Sequence, residues 1–123
     1  MQVLQTISGK VIHGISKGRE IGFPTLNIET GDVNLSFGVY ISKVQTPLGV
    51  YKGALHYGPR MVLDMMEPSL EVHLLDFTGD LYGQDVTIEI LEKVRDTWKF
   101  PDFASLQKQI TLDVSAVRDY QYS

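Results

Sequence analysis

The sequence contains no cysteine in its 123 residues. A disulfide framework, a thiolate zinc site and a cysteine nucleophile are therefore excluded, and the fold must hold by packing alone. It also lacks any apolar run near the roughly 20 residues needed to cross a bilayer, and it does not open on a basic and then apolar leader. A cytoplasmic protein without a membrane partner is expected. Positive charge is scarce, with 11 Lys plus Arg against 15 Asp plus Glu and a net charge of −4. A nucleic-acid backbone would be repelled overall, which argues against such a partner, whereas a small anion on a local basic loop is still allowed. No repeat, low-complexity run or linker divides the chain.

What is present is the composition of an ordinary globular protein, 43% apolar and 21% charged. One domain over residues 1–123 is expected, because a chain of this length buries roughly two-thirds of its unfolded surface in one core. A monomer is the simplest assembly. Val3 to Ile12, Phe37 to Val44, Val50 to Tyr57, Leu70 to Phe77 and Val86 to Val94 alternate or are rich in β-branched and aromatic residues, and turn formers bound each of them. These are strand signatures. The turns Thr46-Pro47-Leu48-Gly49 and Thr78-Gly79-Asp80-Leu81-Tyr82-Gly83 predict antiparallel hairpins on either side. After Pro101, the spacing of Phe103, Leu106, Ile110, Val114 and Val117 predicts a helix with one apolar face and Asp102 as its N-cap. Five or six strands followed by one helix predict an all-β, closed or nearly closed barrel with the helix packed against it.

The chemistry concentrates in His13-Gly14-Ile15-Ser16-Lys17-Gly18-Arg19-Glu20-Ile21-Gly22-Phe23-Pro24-Thr25-Leu26-Asn27-Ile28. Glycines let backbone N–H groups turn toward an anion, and Lys17 and Arg19 supply matching charge, which suits a phosphate-holding loop. It is neither a Walker A sequence nor Gly-x-Gly-x-x-Gly. Pro24 drives Phe23 into the β region, so the chain enters Thr25 extended and the Thr25 and Asn27 side chains share a face. Two such oxygens suit Mg²⁺, which takes few ligands from protein and the rest from phosphates and water. Read in isolation, the same segment also fits a plain turn with solvated charges. Glu71 is either a general base or an exposed strand glutamate. His13, His56 and His73 lack the spacing of a metal site. Tyr51, Tyr57, Phe77, Tyr82 and Trp98 fit core packing better than flavin stacking, and Met61, Met65 and Met66 suit an apolar flap or packing.

Gly22-Phe23-Pro24-Thr25-Leu26-Asn27, with His13-Gly14 and the glycine and arginine loop ahead of it, resembles the Pro-Thr-Ala-Asn motif of riboflavin kinases. The resemblance continues through Phe37-Gly38-Val39-Tyr40, Tyr51-Lys52-Gly53-Ala54, Leu70 to Phe77, Gly79 to Gly83, Val94-Arg95, Lys99-Phe100, and Leu106 to Ile110 with Asp113. It implies a six-stranded antiparallel Greek-key β-barrel with a C-terminal α-helix, an ATP–Mg²⁺ site under the glycine loop, and riboflavin opposite. It further implies that Gly14, Lys17, Gly18, Arg19, Thr25 and Asn27 hold the ATP phosphates, that Thr25 and Asn27 ligate Mg²⁺, that Glu71 is the base and that Arg95 lies by the flavin. The products would be FMN and ADP. Ser16 and Lys17 stand where the family has Gly and Arg, Leu26 replaces Ala, and Met61-Val62 replace Pro-Thr, departures that bear on nucleotide affinity and flap closure. Many bacterial relatives carry an FMN adenylyltransferase domain ahead of the kinase. None is expected within these residues, although association with a separate one is compatible. The alternative function is a flavin- or nucleotide-binding barrel without turnover, which would have no chemical need for Thr25, Asn27 and Glu71 together.

Overall fold

The computed structural model describes residues 3–12, 24–31, 33–59, 68–97 and 100–122. Along the chain run β1 (Gln5–Ile12), β2 (Leu26–Glu29), β3 (Gly38–Thr46), β4 (Gly49–Pro59), β5 (Pro68–Leu74), β6 (Asp85–Arg95) and α1 (Phe103–Asp119). All strand pairs are antiparallel, and the sheet closes in the order β1-β2-β5-β4-β3-β6. Among the described residues, closure gives every strand a neighbour on both sides. Strands β3, β4 and β5 lie side by side in chain order and β6 returns beside β3, which is a Greek key. The expected six-stranded barrel with a C-terminal helix is what the chain forms.

Of the two expected hairpins, one forms. Thr46 pairs with Gly49 across a two-residue loop. Thr46 Oγ1 donates to the Gly49 carbonyl at 2.9 Å and accepts from the Leu48 N–H at 3.0 Å, while Gly49 adopts φ +139°, a conformation costly for any side-chain-bearing residue. Residues 78–83 do not close a hairpin, because β5 pairs with β2 and β4 whereas β6 pairs with β1 and β3. Their turn chemistry is local, with the Tyr82 N–H bonded to Asp80 Oδ1 at 2.8 Å. Such residues mark a change of direction and carry no information on which strands pair. β5 also stops at Leu74, short of the expected Phe77, and Asp76 lies at φ +58°.

Alternation then assigns the two faces of the barrel wall. Ile28, Leu55, Leu70, Val72, Tyr40, Val44, Ile88 and Ile90 point inward and form one core. Each fully buried side chain of this kind contributes about 1.5–3 kcal/mol. Tyr51, Tyr57 and Phe77 pack against that core, as their core reading expects, whereas Tyr82 is 52% exposed and does not. Outside, α1 covers part of the wall, where Ile41, Leu75, Leu91 and Val117 form a second cluster joined by Val94 and Val114. Asp102 caps the helix, accepting from the Ser105 N–H at 2.7 Å. The β3–β6 register shifts between Val39 and Tyr40. A residue is gained on β6 there, so both Val94 and Arg95 reach α1 instead of falling on opposite faces.

Candidate functional site

Strand register builds the site. Asn27 on β2 stands opposite Glu71 on β5, and Glu71 stands opposite His56 on β4. His56 in turn faces Val39 on β3, and Val39 faces Arg95 on β6. The neighbouring row, Leu26, Val72, Leu55 and Tyr40, belongs to the interior core. The row Asn27–Glu71–His56–Val39–Arg95 therefore crosses the outer face of the barrel, perpendicular to the strands.

At one end lie the three residues expected to carry the chemistry. The Thr25 hydroxyl donates to Glu71 Oε1 at 3.2 Å, two residues before Asn27. That bond orients the carboxylate. Asn27 is only 5% exposed, and its Oδ1 is buried without a hydrogen-bond partner. A buried carbonyl costs roughly 1–3 kcal/mol unless water or an ion completes it, and Asn27 lines a cleft of about 910 Å³ with room for either. Among the described residues there is no cluster of three or more His, Cys, Asp and Glu that could cage a metal. One buried amide oxygen with a hydroxyl beside it instead fits a hard cation brought in with phosphates. A cleft of about 620 Å³ opens beside Thr25, walled by Pro24, His73, Asp76, Phe77 and Gly79. His73 is held at its rim by a 2.7 Å contact between Nδ1 and the Pro24 carbonyl.

At the other end Arg95 is fixed to the helix. Its Nε and one terminal nitrogen reach the two Asp113 oxygens, each at 2.9 Å, and the other terminal nitrogen donates to the Asp96 carbonyl at 3.1 Å. Gln109 Nε2 also donates to Asp113 at 3.0 Å, and the Phe100 ring centre lies 5.6 Å from the guanidinium. Arg95 thus presents a rigid cation and an aromatic plane. Between the two ends sits His56. Burial, with the Arg95 charge adding to it and Asp113 opposing it, holds its imidazole below the ordinary value of 6.5, so the ring is neutral at neutral pH. Its Nδ1 is buried and unpartnered.

Thr25, Asn27 and Glu71 are therefore brought together, and Arg95 shares their row. Gly14, Lys17, Gly18 and Arg19 lie outside the described residues, as do His13, Met61, Met65, Met66 and Trp98. Two residues were given no role at the site by the sequence reading, which named Asp113 only within the family resemblance and His56 only in a rejected histidine metal site. Asp113 falls on the apolar helix stripe, three residues after Ile110 and four before Val117, and a carboxylate on such a stripe signals a buried partner. For His56, strand alternation with Leu55 inside was the available signal.

A family model described as Flavokinase, riboflavin kinase, matches residues 2–121. The bifunctional riboflavin kinase/FMN adenylyltransferase of Haemophilus influenzae is 42% identical over 116 residues, which cover 93% of this chain and 38% of that protein. An RNA-binding riboflavin kinase of Bacillus subtilis is 35% identical over 112 residues, covering 90% of this chain and 49% of that protein. This chain thus spans less than half the length of these two curated relatives. Among solved structures, one described as a macrolide-efflux protein from Streptococcus pneumoniae superposes with a TM-score of 0.84 at 31% identity, over 94% of this chain and 39% of that one. Riboflavin kinase from Trypanosoma brucei superposes with a TM-score of 0.64 at 27% identity, over 93% and 77%. A match that runs from the first strand to the end of the helix, through the row that gathers Thr25, Asn27 and Glu71, supports one assignment, and the chain belongs to the riboflavin kinase family.

Proposed function

We propose that this chain, acting as one domain, transfers the γ-phosphoryl group of ATP to the ribityl 5′-hydroxyl of riboflavin, giving FMN and ADP. The observation that carries the reading is the grouping at one end of the row, where a carboxylate is oriented by Thr25 and faces a buried Asn27 oxygen that no described residue satisfies. Phosphoryl transfer asks little covalent work of a protein and consists mostly of positioning and charge neutralisation. Glu71 takes the proton of the attacking hydroxyl as the new P–O bond forms. Thr25 and Asn27 would hold Mg²⁺, which when bound neutralises phosphate charge. Gly14, Lys17, Gly18 and Arg19 would cradle the phosphates, and the cleft beside Thr25 gives the nucleotide room. Arg95, braced by Asp113, would border the flavin.

Several further properties go with this reading. Because the reaction consumes ATP, we take the cytoplasm as its compartment. Among the described residues no helix is long and apolar enough to cross a membrane. We expect a monomer, able to work beside an FMN adenylyltransferase of the kind named in its relatives. The test is to incubate the purified chain with riboflavin, ATP and Mg²⁺ and to separate the flavins by chromatography. FMN formed in step with ADP is expected, and unchanged riboflavin at high enzyme concentration would overturn the reading.

A further inference from the structure

His56 stands directly beside the candidate base, one strand over, on the same face. Three observations single it out. Its Nδ1 is buried with no hydrogen-bond partner among the described residues, burial holds its imidazole below the ordinary value, and it lies between the residues proposed to bind phosphate and the braced Arg95. Two unpartnered buried polar atoms, Asn27 Oδ1 and His56 Nδ1, thus flank Glu71 on either side.

The geometry fixes what could meet that nitrogen. The attacking oxygen must sit at Glu71, with the transferred phosphoryl group and the acceptor's carbon chain on different sides of it. The Thr25 cleft takes the donor side. Followed away from β2, the row reaches His56 after about 4.8 Å, Val39 after about 10 Å and Arg95 after about 14 Å, one strand spacing at a time. With carbon–carbon bonds of about 1.5 Å, an extended five-carbon polyol spans roughly 6 Å. Its secondary hydroxyls would then lie over His56, and the ring they carry would lie over Val39 toward Arg95 and Phe100. A neutral imidazole offers one donor and one acceptor, which is what a hydroxyl needs.

Resting on the kinase reading above, we propose that His56 forms the subsite for the secondary hydroxyls of the ribityl chain and sets the selectivity for a polyol acceptor. A bound hydroxyl supplies the partner that Nδ1 lacks. An acceptor with a bare alkyl chain leaves the nitrogen unsatisfied, and sites built to hydrogen-bond a hydroxyl reject analogues that lack it.

The test compares riboflavin with 7,8-dimethyl-10-(5-hydroxypentyl)isoalloxazine, which keeps the ring and the terminal hydroxyl and loses the three secondary ones. Steady-state kcat/KM is measured for both acceptors in the parent and in His56→Leu. The parent should prefer riboflavin, and His56→Leu should cut that preference at least about tenfold by slowing riboflavin while sparing the analogue. Loss of a merely structural residue would slow both acceptors alike. A measurement on the parent covers the case in which the variant does not fold. The ¹⁵N resonances of His56 should shift on adding riboflavin with Mg²⁺ and ADP, and should not shift with the alkyl analogue. FMN formation with an unchanged preference in folded His56→Leu, or identical His56 shifts with both flavins, overturns this inference and leaves the kinase reading intact. A parent that makes no FMN overturns both.

Discussion

Asp113 and Asn27 are almost equally buried, at 3% and 5% exposed, and the fold treats them in opposite ways. Asp113 accepts from Arg95 through both of its oxygens and from Gln109, so its desolvation is offset inside the protein. Asn27 has its amide oxygen buried and unmatched. A buried polar group that is satisfied serves the structure, and on the reading proposed above the unsatisfied one is completed by a bound cation. Asn27 lies at one end of the outer strip of the barrel, across from Glu71, and Asp113 on α1 braces Arg95 at the other.

The largest expected effect is at the unsatisfied end. Glu71→Gln keeps the size of the side chain and its bond to Thr25 but removes the proton acceptor, so turnover should fall by roughly 10²–10⁴ while the melting temperature and riboflavin binding hold. A rate within a few-fold of the parent would reduce Glu71 to a strand residue. Asp113→Ala should act on the other axis. It removes the carboxylate paired with a mostly buried guanidinium and should cost about 3–5 kcal/mol of stability in a denaturant titration. A loss under about 1 kcal/mol would mean that the pair does not brace the strip.

Asn27→Leu sharpens the contrast, because it replaces an unpaired buried amide with an apolar side chain of similar shape. Stability should stay within about 1 kcal/mol of the parent or rise, whereas Mg²⁺-dependent nucleotide binding should weaken tenfold or more. A large loss of stability would show that Asn27 serves the fold after all. The smallest effect belongs to the exposed pair of Asp76 and Arg118. The Arg118 hydrogen bonds, then its charge, hold the Asp76 carboxyl below its ordinary value of 3.8. The lowered folded value means that the contribution is present above pH 3.8 and disappears as the pH falls through the folded value. Arg118→Ala should therefore alter melting only slightly at neutral pH, less again in high salt, and not at all once Asp76 is protonated in both states. A difference from the parent that persists at pH 2 would assign the effect to packing.

Much of this was legible in the sequence because it follows from short-range chemistry. Alternation around Leu55 and Val72 gave the strands and their inner face, the spacing of Ile110, Val114 and Val117 gave the helix, and Asp102 after Pro101 gave its cap. Pro24 followed by Thr25 and Asn27 was enough to align two oxygens on one face. What was not legible depends on pairing across the chain. Nothing local in residues 78–83 says that they lead to a strand beside β1 and β3 instead of beside β5. Nothing in Val94-Arg95 announces the register shift that turns both toward the helix. His56 acquired its interest only when register set it next to Glu71.

The central claim, that the unmatched oxygen of Asn27 waits for a cation carried by the nucleotide, can be tested without a substitution. Mn²⁺ can replace Mg²⁺ in a complex with ADP, and paramagnetic broadening of side-chain amide resonances then reports distance from the ion. The Asn27 amide should broaden beyond detection at saturating Mn²⁺–ADP, while the Gln109 amide, held by Asp113 on α1 at the Arg95 end of the row, should stay sharp. An Asn27 amide as sharp as that of Gln109 at saturation would contradict it.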